Sequence, residues 1–505
     1  MAEFGPTVAV KLFIDKEKQK VLFAESDKDF VDVLFSFLTL PLGTIVRICG
    51  KQSGVGCLDE VHKSVESLGI DHFQTKACKA MLLSPLNAAA SLCGQLKIQV
   101  DDTNPRKIGI CLNCQSSGAY SSVPDAVCKS CSRELTFGEQ PQVVHASVGY
   151  NGDGGFVKSG LKLIITDDLQ VAPASTSLVF SLLDKFGLHA ESNVEEKILE
   201  LNSNKINSLL KRALMSQQAL TGVFFDVAIT PDAVNLDQLP ENLVKQAEHR
   251  FKAINIKLIQ TKDDASVLYV EGGQDFIDLI FGLLSIPLGS IIKAYGQWSP
   301  NGCVDNLYRS IAGGAYIKEE CKNLLLSPKL APHFGCSVNV LQVGELGARV
   351  LQVKCSICLQ DRRHYCTFKS PRVTTLSETN PKSSSIYNTT NGAYMKGGPR
   401  NFIVTDNLRI LHFSLANTMQ LLRASKVPKE KLVEKEITLD ETQVALSFGN
   451  LPTVKIYDVS ESKFGLFAMI CCYLKRLIKI NGGSEATEGC NLYSGSTQQR
   501  SSASS

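Results

Sequence analysis

The most constraining feature of this sequence is an internal repeat. Residues 11–64 return at 257–310, and 21 of the 54 positions are identical when the two segments are aligned without a gap. Both segments contain an Asp-Phe-(Val or Ile)-Asp motif, at 29–32 and at 275–278, and a Pro-Leu-Gly tripeptide follows each motif. A period this long exceeds the roughly 20 to 50 residues of solenoid repeats. The repeat therefore predicts two homologous modules in tandem.

Further matches extend the repeat beyond these segments. Leu-Leu-Ser-Pro occurs at 82–85 and again at 325–328, and an apolar run that ends in Thr-Asp occurs at 163–167 and at 402–406. One module therefore spans about 200 residues, which is an ordinary domain size.

The domain boundaries follow from these matches and from composition. We predict a first module at 1–245, a second module at 246–456 and a divergent tail at 457–505. From Gly482 onward the tail is rich in Ser, Gly, Thr and Gln. Such a composition cannot bury enough apolar surface to offset the entropy of ordering, so we expect the tail to be disordered.

The start of each module predicts a β-hairpin followed by helices. In the first module apolar residues alternate over 8–14, a charged turn follows, and a second apolar run begins at Val21. Apolar residues then recur at helical spacing over 30–38, with Asp29 as the expected N-cap and Pro41 and Gly43 as the expected end.

A second helix is predicted after Cys57, with Asp59 as its cap or as an acid in its first turn. Its counterpart in the second module is expected to begin at Asp305. Hairpins and helices occur without regular strand-helix alternation, which favours the α+β class over a doubly wound sheet.

Composition excludes some classes of function. The chain has 505 residues, and its net charge of +3 gives no global attraction to nucleic acid or to an anionic membrane. Its first 20 residues contain four lysines and lack the apolar core of a secretory signal. Seventeen cysteines in such a chain fit reduced thiols and metal ligands better than disulfides. We expect a cytoplasmic or nuclear protein.

A membrane anchor is the least favoured alternative. The apolar run 464–474 is shorter than the roughly 20 residues that a transmembrane helix requires, so no transmembrane segment is predicted. Cys471 and Cys472 lie beside basic residues and would suit palmitoylation, whereas a buried apolar helix is the simpler interpretation.

Four cysteines of the first module form the strongest chemical motif. Cys111 and Cys114 make one CxxC pair, and Cys128 and Cys131 make a second pair, with thirteen residues between the two pairs. Two such pairs can enclose one ion in a tetrahedral thiolate cage, the arrangement that structural zinc prefers. We predict a zinc-ribbon-like segment at 108–135. Thiol-disulfide exchange at one pair and a chance spacing in a cysteine-rich chain are the alternatives.

The second module retains half of this motif in a partial ribbon at 354–367. Cys355, Cys358, His364 and Cys366 could form a weaker Cys3His site, although the interval between Cys358 and Cys366 is short for a second pair. Basic residues alternate with Tyr and Phe over 362–372, a composition that suits nucleic acid and also a solvated basic loop.

An enzyme is the rival interpretation. Gly-Cys-(Leu or Val)-Asp recurs at 56–59 and 302–305, and a cysteine at a helix N-terminus can be an activated nucleophile. A positioned base is also required, and His62 of the first copy is Tyr308 in the second, so no Cys-His pair repeats. The simpler interpretation is therefore that Cys57 and Cys303 are small buried thiols without a catalytic role. Phosphate-loop, dinucleotide, HExxH and GxSxG signatures are absent from the sequence.

Carboxylates give a second version of the enzyme hypothesis. Two acids three residues apart share a helix face, so they could act as a pair. The candidates are Asp29 with Asp32 and Asp275 with Asp278.

As an ensemble, the hairpin, the Asp-Phe-(Val or Ile)-Asp helix, Pro-Leu-Gly, Leu-Leu-Ser-Pro and the CxxC pairs resemble the plant family known as domain of unknown function 674. The resemblance covers roughly residues 7 to 445. It implies a plant protein, usually duplicated, without an established activity, and it supplies no catalytic residues. The expected protein is a non-enzymatic intracellular module that contains a structural zinc ion. Its expected function is to bind a macromolecular partner, either protein or nucleic acid.

Overall fold

The computed structural model describes most of the chain up to residue 439. The described ranges are 5–51, 53, 57–101, 108–111, 118–137, 142–145, 154–187, 194–229, 253–262, 267–296, 302–336, 343–354, 374–383 and 392–439. The predicted boundary at 245 and the predicted tail at 457–505 lie outside these ranges, so the domain boundaries stay predictions.

We call the elements from Val8 to Phe225 the N-terminal half and those from Ile254 to Leu439 the C-terminal half. Strands and helices alternate irregularly in the N-terminal half. Its strands are β1 (Val8–Asp15), β2 (Lys20–Ser26), β3 (Gly109–Ile110), β4 (Gly118–Ser121), β5 (Gln142–His145), β6 (Leu163–Thr166), β7 (Val171–Pro173) and β8 (Val194–Leu201). Its α-helices are α1 (Lys28–Ser36), α2 (Leu42–Ile48), α3 (Leu58–Ser67), α4 (Lys76–Leu83), α5 (Ala90–Cys93), α6 (Thr176–Phe186), α7 (Ser203–Met215) and α8 (Ala219–Phe225). Short 3₁₀ turns occur at Phe37–Thr39 and Ile70–His72.

The described elements of the C-terminal half follow a similar order at its start. Its strands are β9 (Ile254–Thr261), β10 (Val267–Gly272), β11 (Val350–Lys354), β12 (Thr374–Glu378), β13 (Phe402–Thr405), β14 (Ile410–His412) and β15 (Leu432–Leu439). Its α-helices are α9 (Gln274–Gly282), α10 (Leu288–Tyr295), α11 (Val304–Ala312), α12 (Glu319–Leu326) and α13 (Leu415–Ser425). Short 3₁₀ turns occur at Leu283–Ser285 and Lys429–Lys431. This mixture of helices and sheets is the α+β class that the sequence predicts.

Each half builds one five-stranded antiparallel sheet with the same strand order. The order is β7-β6-β2-β1-β8 in the N-terminal half and β14-β13-β10-β9-β15 in the C-terminal half. The predicted hairpin of β1 and β2 is present, and burial alternates along β1 as its apolar pattern requires. Because the two sheets share one strand order, residues that match in the sequence repeat occupy equivalent positions in the two halves.

The N-cap of α1 differs from the prediction. The cap is Asp27, whose side chain accepts a hydrogen bond from the backbone N–H of Asp29, so Asp29 lies in the first turn. Both aspartates precede the apolar run, and their spacing alone does not distinguish a cap from a first-turn acid. Gly43 was expected to end this helix and instead lies inside α2.

The helix predicted after Cys57 is α3. Asp59 lies in its first turn, and its carboxylate accepts hydrogen bonds from the backbone N–H and the hydroxyl of Ser53. The counterpart helix α11 also carries its acid, Asp305, in the first turn. The first-turn alternative for Asp59 is therefore the correct one.

The two Pro-Leu-Gly segments contact each other. Pro41 and Pro287 form an antiparallel bridge between the halves. The backbone N–H of Leu42 donates to the carbonyl of Ile286, and the N–H of Leu288 donates to the carbonyl of Leu40, each at 3.0 Å. The equivalent bonds run in opposite directions, so the halves are related by a local two-fold arrangement at this point.

Two further bridges cross between the halves in the same reciprocal way. Val157 of the N-terminal half pairs with Ile317 of the C-terminal half, and Met395 of the C-terminal half pairs with Phe73 of the N-terminal half. The Phe73 and Phe281 rings stack across the same junction, with centroids 6.4 Å apart. One cluster of buried apolar residues extends through both halves, so they share a hydrophobic core.

A third five-stranded sheet combines strands from both halves. Its order is β3-β4-β12-β11-β5, so strands of the C-terminal half lie between strands of the N-terminal half. β12 pairs with β4 in parallel, and Leu376 of β12 packs so closely on Gly118 of β4 that a side chain at Gly118 would collide with it. The segment predicted as a zinc ribbon supplies β3 and β4 to this sheet.

Substitution Gly289→Ala is expected to destabilise the protein. An added Cβ would lie 3.0 Å from the carbonyl oxygens of Leu38 and Leu325. Both oxygens are backbone atoms, so neither can move aside by a side-chain rotation. Overpacking of this kind costs about 1–3 kcal/mol. Urea unfolding should show the loss, whereas the control Gly347→Ala, which has open space around it, should leave the midpoint unchanged. Equal midpoints for both variants would contradict the close approach of the halves.

Candidate metal centre

Three of the four predicted zinc ligands lie together in the structure. The thiol sulfurs of Cys111, Cys128 and Cys131 are all within 4.8 Å of one another. The sulfurs of Cys111 and Cys131 are 3.6 Å apart. The fourth predicted ligand, Cys114, lies outside the described residues. Within the described part of the chain, this is the group of His, Cys, Asp and Glu side chains that is compact enough to hold a metal ion.

A tight turn positions Cys128 and Cys131. The backbone N–H of Ser132 donates to the carbonyl of Cys128 at 2.7 Å, and the N–H of Cys128 donates to the carbonyl of Arg133 at 2.8 Å. Ser132 has a left-handed backbone with φ of 55°. These bonds reverse the chain within five residues and direct both thiols of the CxxC pair to one side, which is why a two-residue gap suits a shared ion.

A short ladder brings Cys111 to this turn. Ile110 exchanges both backbone hydrogen bonds with Thr136, each at 3.0 Å, and the N–H of Cys111 donates to the carbonyl of Ala119. Cys111 therefore follows directly from β3 at the point where the third sheet meets the turn. Cys128 is fully buried and Cys111 is nearly so, while Cys131 is half-buried.

The sulfur separation fits a zinc ion. Zn–S bonds of about 2.3 Å at tetrahedral angles place neighbouring sulfurs about 3.8 Å apart. The 3.6 Å between Cys111 and Cys131 is close to this value and far from the roughly 2.05 Å of a disulfide. The donors are soft thiols. Such ligands bind zinc in preference to the hard ions calcium and magnesium, which take oxygen ligands. The described residues therefore could hold a metal ion of this class.

The predicted second site lies outside the described residues. This applies to Cys355, Cys358, His364 and Cys366, and also to the basic and aromatic stretch 362–372.

The candidate nucleophiles are buried. Cys57 is 2 % exposed and Cys303 is 1 % exposed. Burial, together with the nearby acids Asp168, Asp167 and Asp305, raises the pKa of the Cys303 thiol well above its ordinary value of 9.0. A reactive cysteine needs the opposite environment, one that stabilises the thiolate and admits substrate.

Two of the four candidate carboxylates, Asp32 and Asp278, each hold a backbone segment in place. One oxygen of Asp32, Oδ1, accepts the backbone N–H groups of Phe156 and Val157 at 2.6 and 2.9 Å. The Oδ1 of Asp278 likewise accepts those of Tyr394 and Met395, both at 2.9 Å. Asp29 and Asp275 take no part in these bonds. Val157 and Met395 are the residues that form the bridges between the halves.

A family model described as "Protein of unknown function (DUF674)" matches residues 5–442. The chain belongs to this family. The match confirms the resemblance that the sequence motifs carry. A search of curated proteins and a search of solved structures returned no match for this member of the family. Among the described residues no helix is both long and apolar enough to cross a membrane.

Sequence reasoning missed a buried lysine in the C-terminal half. Lys382 is 1 % exposed, and its Nζ donates to the carbonyls of Gly335 and Gly392, each at 2.7 Å. Nζ also lies 3.6 Å from the ring centroid of Tyr394, a cation–π geometry. Burial lowers the pKa of Lys382. Its sequence context, Asn-Pro-Lys-Ser, is typical of a solvated turn and gives no signal of burial.

Substitution Asp278→Asn is expected to change the pH dependence of stability. Burial raises the pKa of Asp278 from its ordinary value of 3.8 to about 6. The folded protein therefore binds this proton more tightly than the unfolded chain, and the stabilisation is complete below about pH 4 and is lost as pH rises through 6. Asn keeps an Oδ1 acceptor without the charge, so urea unfolding should show the variant gaining roughly 1–3 kcal/mol relative to wild type between pH 4.5 and 7.

Asp184→Asn provides the control for this comparison, because it removes one carboxylate that is exposed and not buried. If Asp278→Asn and wild type lost the same stability between pH 4.5 and 7, the buried carboxylate would not be the titrating group.

Proposed function

We propose that Cys111, Cys114, Cys128 and Cys131 bind one structural zinc ion and that the protein is a non-enzymatic binding module. The observation that carries this proposal is the cluster of three thiols, with the sulfurs of Cys111 and Cys131 at 3.6 Å. Cys114 supplies the fourth ligand through its CxxC pairing with Cys111. Four thiolates fill the coordination sphere, so the ion stabilises the ribbon and leaves no position for a substrate.

The role of zinc is to fix the segment that borders the third sheet. β3 directly precedes Cys111, β4 lies between the two CxxC pairs in sequence, and β4 pairs with β12 of the C-terminal half. The apolar cluster under this sheet is small and includes Ile110, Tyr120 and Leu376. A small core gains much from a metal crosslink, as in other compact metal-binding modules. The second partial ribbon, with Cys355, Cys358, His364 and Cys366, is the weaker candidate for a second ion.

The protein acts by binding a macromolecular partner inside the plant cell, in the cytoplasm or the nucleus. The partner is a protein or a nucleic acid, since zinc ribbons serve both. Two features support a binding role over catalysis: the buried state of Cys57 and Cys303, and the use of Asp32 and Asp278 to hold backbone.

Duplication of one ancestral module is the proposed origin of the two halves. Support comes from the identical strand order of their sheets, together with the sequence repeat of residues 11–64 at 257–310. In this proposal the zinc ligands persist as two complete pairs in the N-terminal copy only.

Purified protein should contain zinc, and one equivalent should be lost in the double variant Cys111→Ser, Cys128→Ser. Removal of two thiolates leaves too few soft ligands to retain the ion. Mass spectrometry of metal content measures this directly. Cys49→Ser is the matched control, because Cys49 is partly buried and lies outside the cluster. Equal zinc content in the double variant and wild type would contradict this assignment.

Capture of the partner should depend on the zinc site. Tagged full-length protein, incubated in plant extract and chemically crosslinked, should retain a partner that the Cys111→Ser, Cys128→Ser variant loses while Cys49→Ser keeps it. The reason is that the ribbon loses its fixed conformation without its ion. Identical capture by all three proteins would separate the binding surface from the zinc site and overturn this part of the proposal.

A further inference from the structure

A cavity of about 370 Å³ lies between the two halves, away from the cysteine cluster. Strands β6 and β7 and helix α6 of the N-terminal half form most of its wall, and helix α11 of the C-terminal half closes one side. Its volume falls within the roughly 300–1,000 Å³ of small-molecule sites in proteins. A site of this size accommodates a compact organic molecule.

Hydrogen bonds between the halves fix the walls of this cavity. The backbone N–H of Val171 donates to the hydroxyl of Ser310 at 2.9 Å. The amide of Asn306 donates to the backbone carbonyl of Asp168 at 2.6 Å, and the hydroxyl of Tyr316 donates to the carbonyl of Val171 at 3.0 Å. The wall residues are therefore held in place before any ligand arrives, which lowers the entropic cost of binding.

The lining contains apolar residues, two cations and the neutral polar residues Thr166, Gln170, Asn306 and Ser310. Ile164, Leu178 and Leu182 provide apolar surface, while Lys185 and Arg309 provide positive charge. Leu182 and Ile164 also belong to the small apolar cluster on this face of the sheet. A ligand that fits this lining has an apolar body and at least one negative charge.

Both cations are available to an anion. The guanidinium of Arg309 donates to the side-chain oxygen of Asn306 at 2.7 Å, and neither Arg309 nor Lys185 forms an ion pair within the described part of the chain. The carboxylate of Asp168, which lies nearby, accepts hydrogen bonds from Thr166, Gln170 and Asn306. These neutral donors fix the orientation of the carboxylate but do not cancel its negative charge.

The related position is formed by β13, β14 and α13 of the C-terminal half with α3 of the N-terminal half, and its charged residues differ. By the sequence repeat, Lys63 corresponds to Arg309 and Glu60 corresponds to Asn306. Lys63 forms an ion pair with Glu60 at 2.7 Å, so its charge is neutralised locally. Ala424 stands at the position that corresponds to Lys185. Arg409 stands at the position that corresponds to the lining residue Gln170, so the related position carries a cation at a different place.

We propose that this cavity binds a small organic anion with an apolar body, such as an aromatic or medium-chain carboxylate or sulfonate. The anionic group contacts Arg309 and Lys185, because a guanidinium and an ammonium both form strong charge-assisted hydrogen bonds with such oxygens. The apolar body contacts Ile164, Leu178 and Leu182. The site uses residues from both halves, so a bound ligand also stabilises their association.

Two fluorescent probes that differ by one charge test this proposal. 1-Anilinonaphthalene-8-sulfonate carries an anionic group, and N-phenyl-1-naphthylamine has the same rings without it. Full-length wild-type protein should bind the sulfonate more tightly than the neutral probe. The double variant Lys185→Gln, Arg309→Gln should lose about tenfold or more in affinity for the sulfonate, since each charged hydrogen bond contributes more than 1 kcal/mol. Its affinity for the neutral probe should stay within about twofold of wild type.

Two further variants locate the probes and control for charge. Ala172 lines the cavity, so Ala172→Phe should fill it and weaken binding of both probes. Lys63→Gln removes a cation at the related position of the other half and should leave both affinities unchanged. Urea unfolding of each variant establishes that it is folded. Unchanged sulfonate affinity in the double variant, unchanged binding in Ala172→Phe, or an equal loss in Lys63→Gln would overturn the proposal.

Discussion

The structure depends on one close backbone contact, the antiparallel bridge between Pro41 and Pro287. The prolines lack N–H groups, so the reciprocal bonds are made by their neighbours, and the following glycines allow the chains to approach. Gly289 meets the carbonyl of Leu38 in the other half, and Gly43 meets the carbonyl of Leu284. The repeated tripeptide thus has a packing role, because it forms one of the direct contacts between the two halves.

Buried carboxylates extend this reciprocal arrangement. Asp32 orients Val157 so that it can pair with Ile317, and Asp278 orients Met395 for the matching bridge on the other side. Each acid lies within its own half yet acts on the junction with the other half. A buried carboxylate is costly unless hydrogen-bonded, and two backbone N–H groups on one oxygen supply that compensation in both halves. The second Asp of each Asp-Phe-(Val or Ile)-Asp motif is therefore structural.

Local pattern predicted the local elements well and the long-range contacts poorly. The hairpin, α3 and the cluster of Cys111 with Cys128 and Cys131 follow from alternation, capping residues and CxxC spacing, because those signals act over a few residues. The shared core does not follow, since burial periodicity identifies an apolar face without identifying what covers it. Lys382 and Arg309 gave no signal for the same reason: their environments are assembled from segments far apart in the chain.

The bridges between the halves have a consequence for synthesis. When a ribosome has released the N-terminal half, the partners of Val157 and Phe73 do not yet exist, because Ile317 and Met395 follow much later in the chain. The pairing partners of β4 and β5, which are β12 and β11 respectively, are also synthesised later. The nascent N-terminal half exposes unpaired strand edges and apolar surface during this interval, the condition under which chaperones are needed. A truncated transcript that ends between the halves would therefore yield an aggregation-prone product.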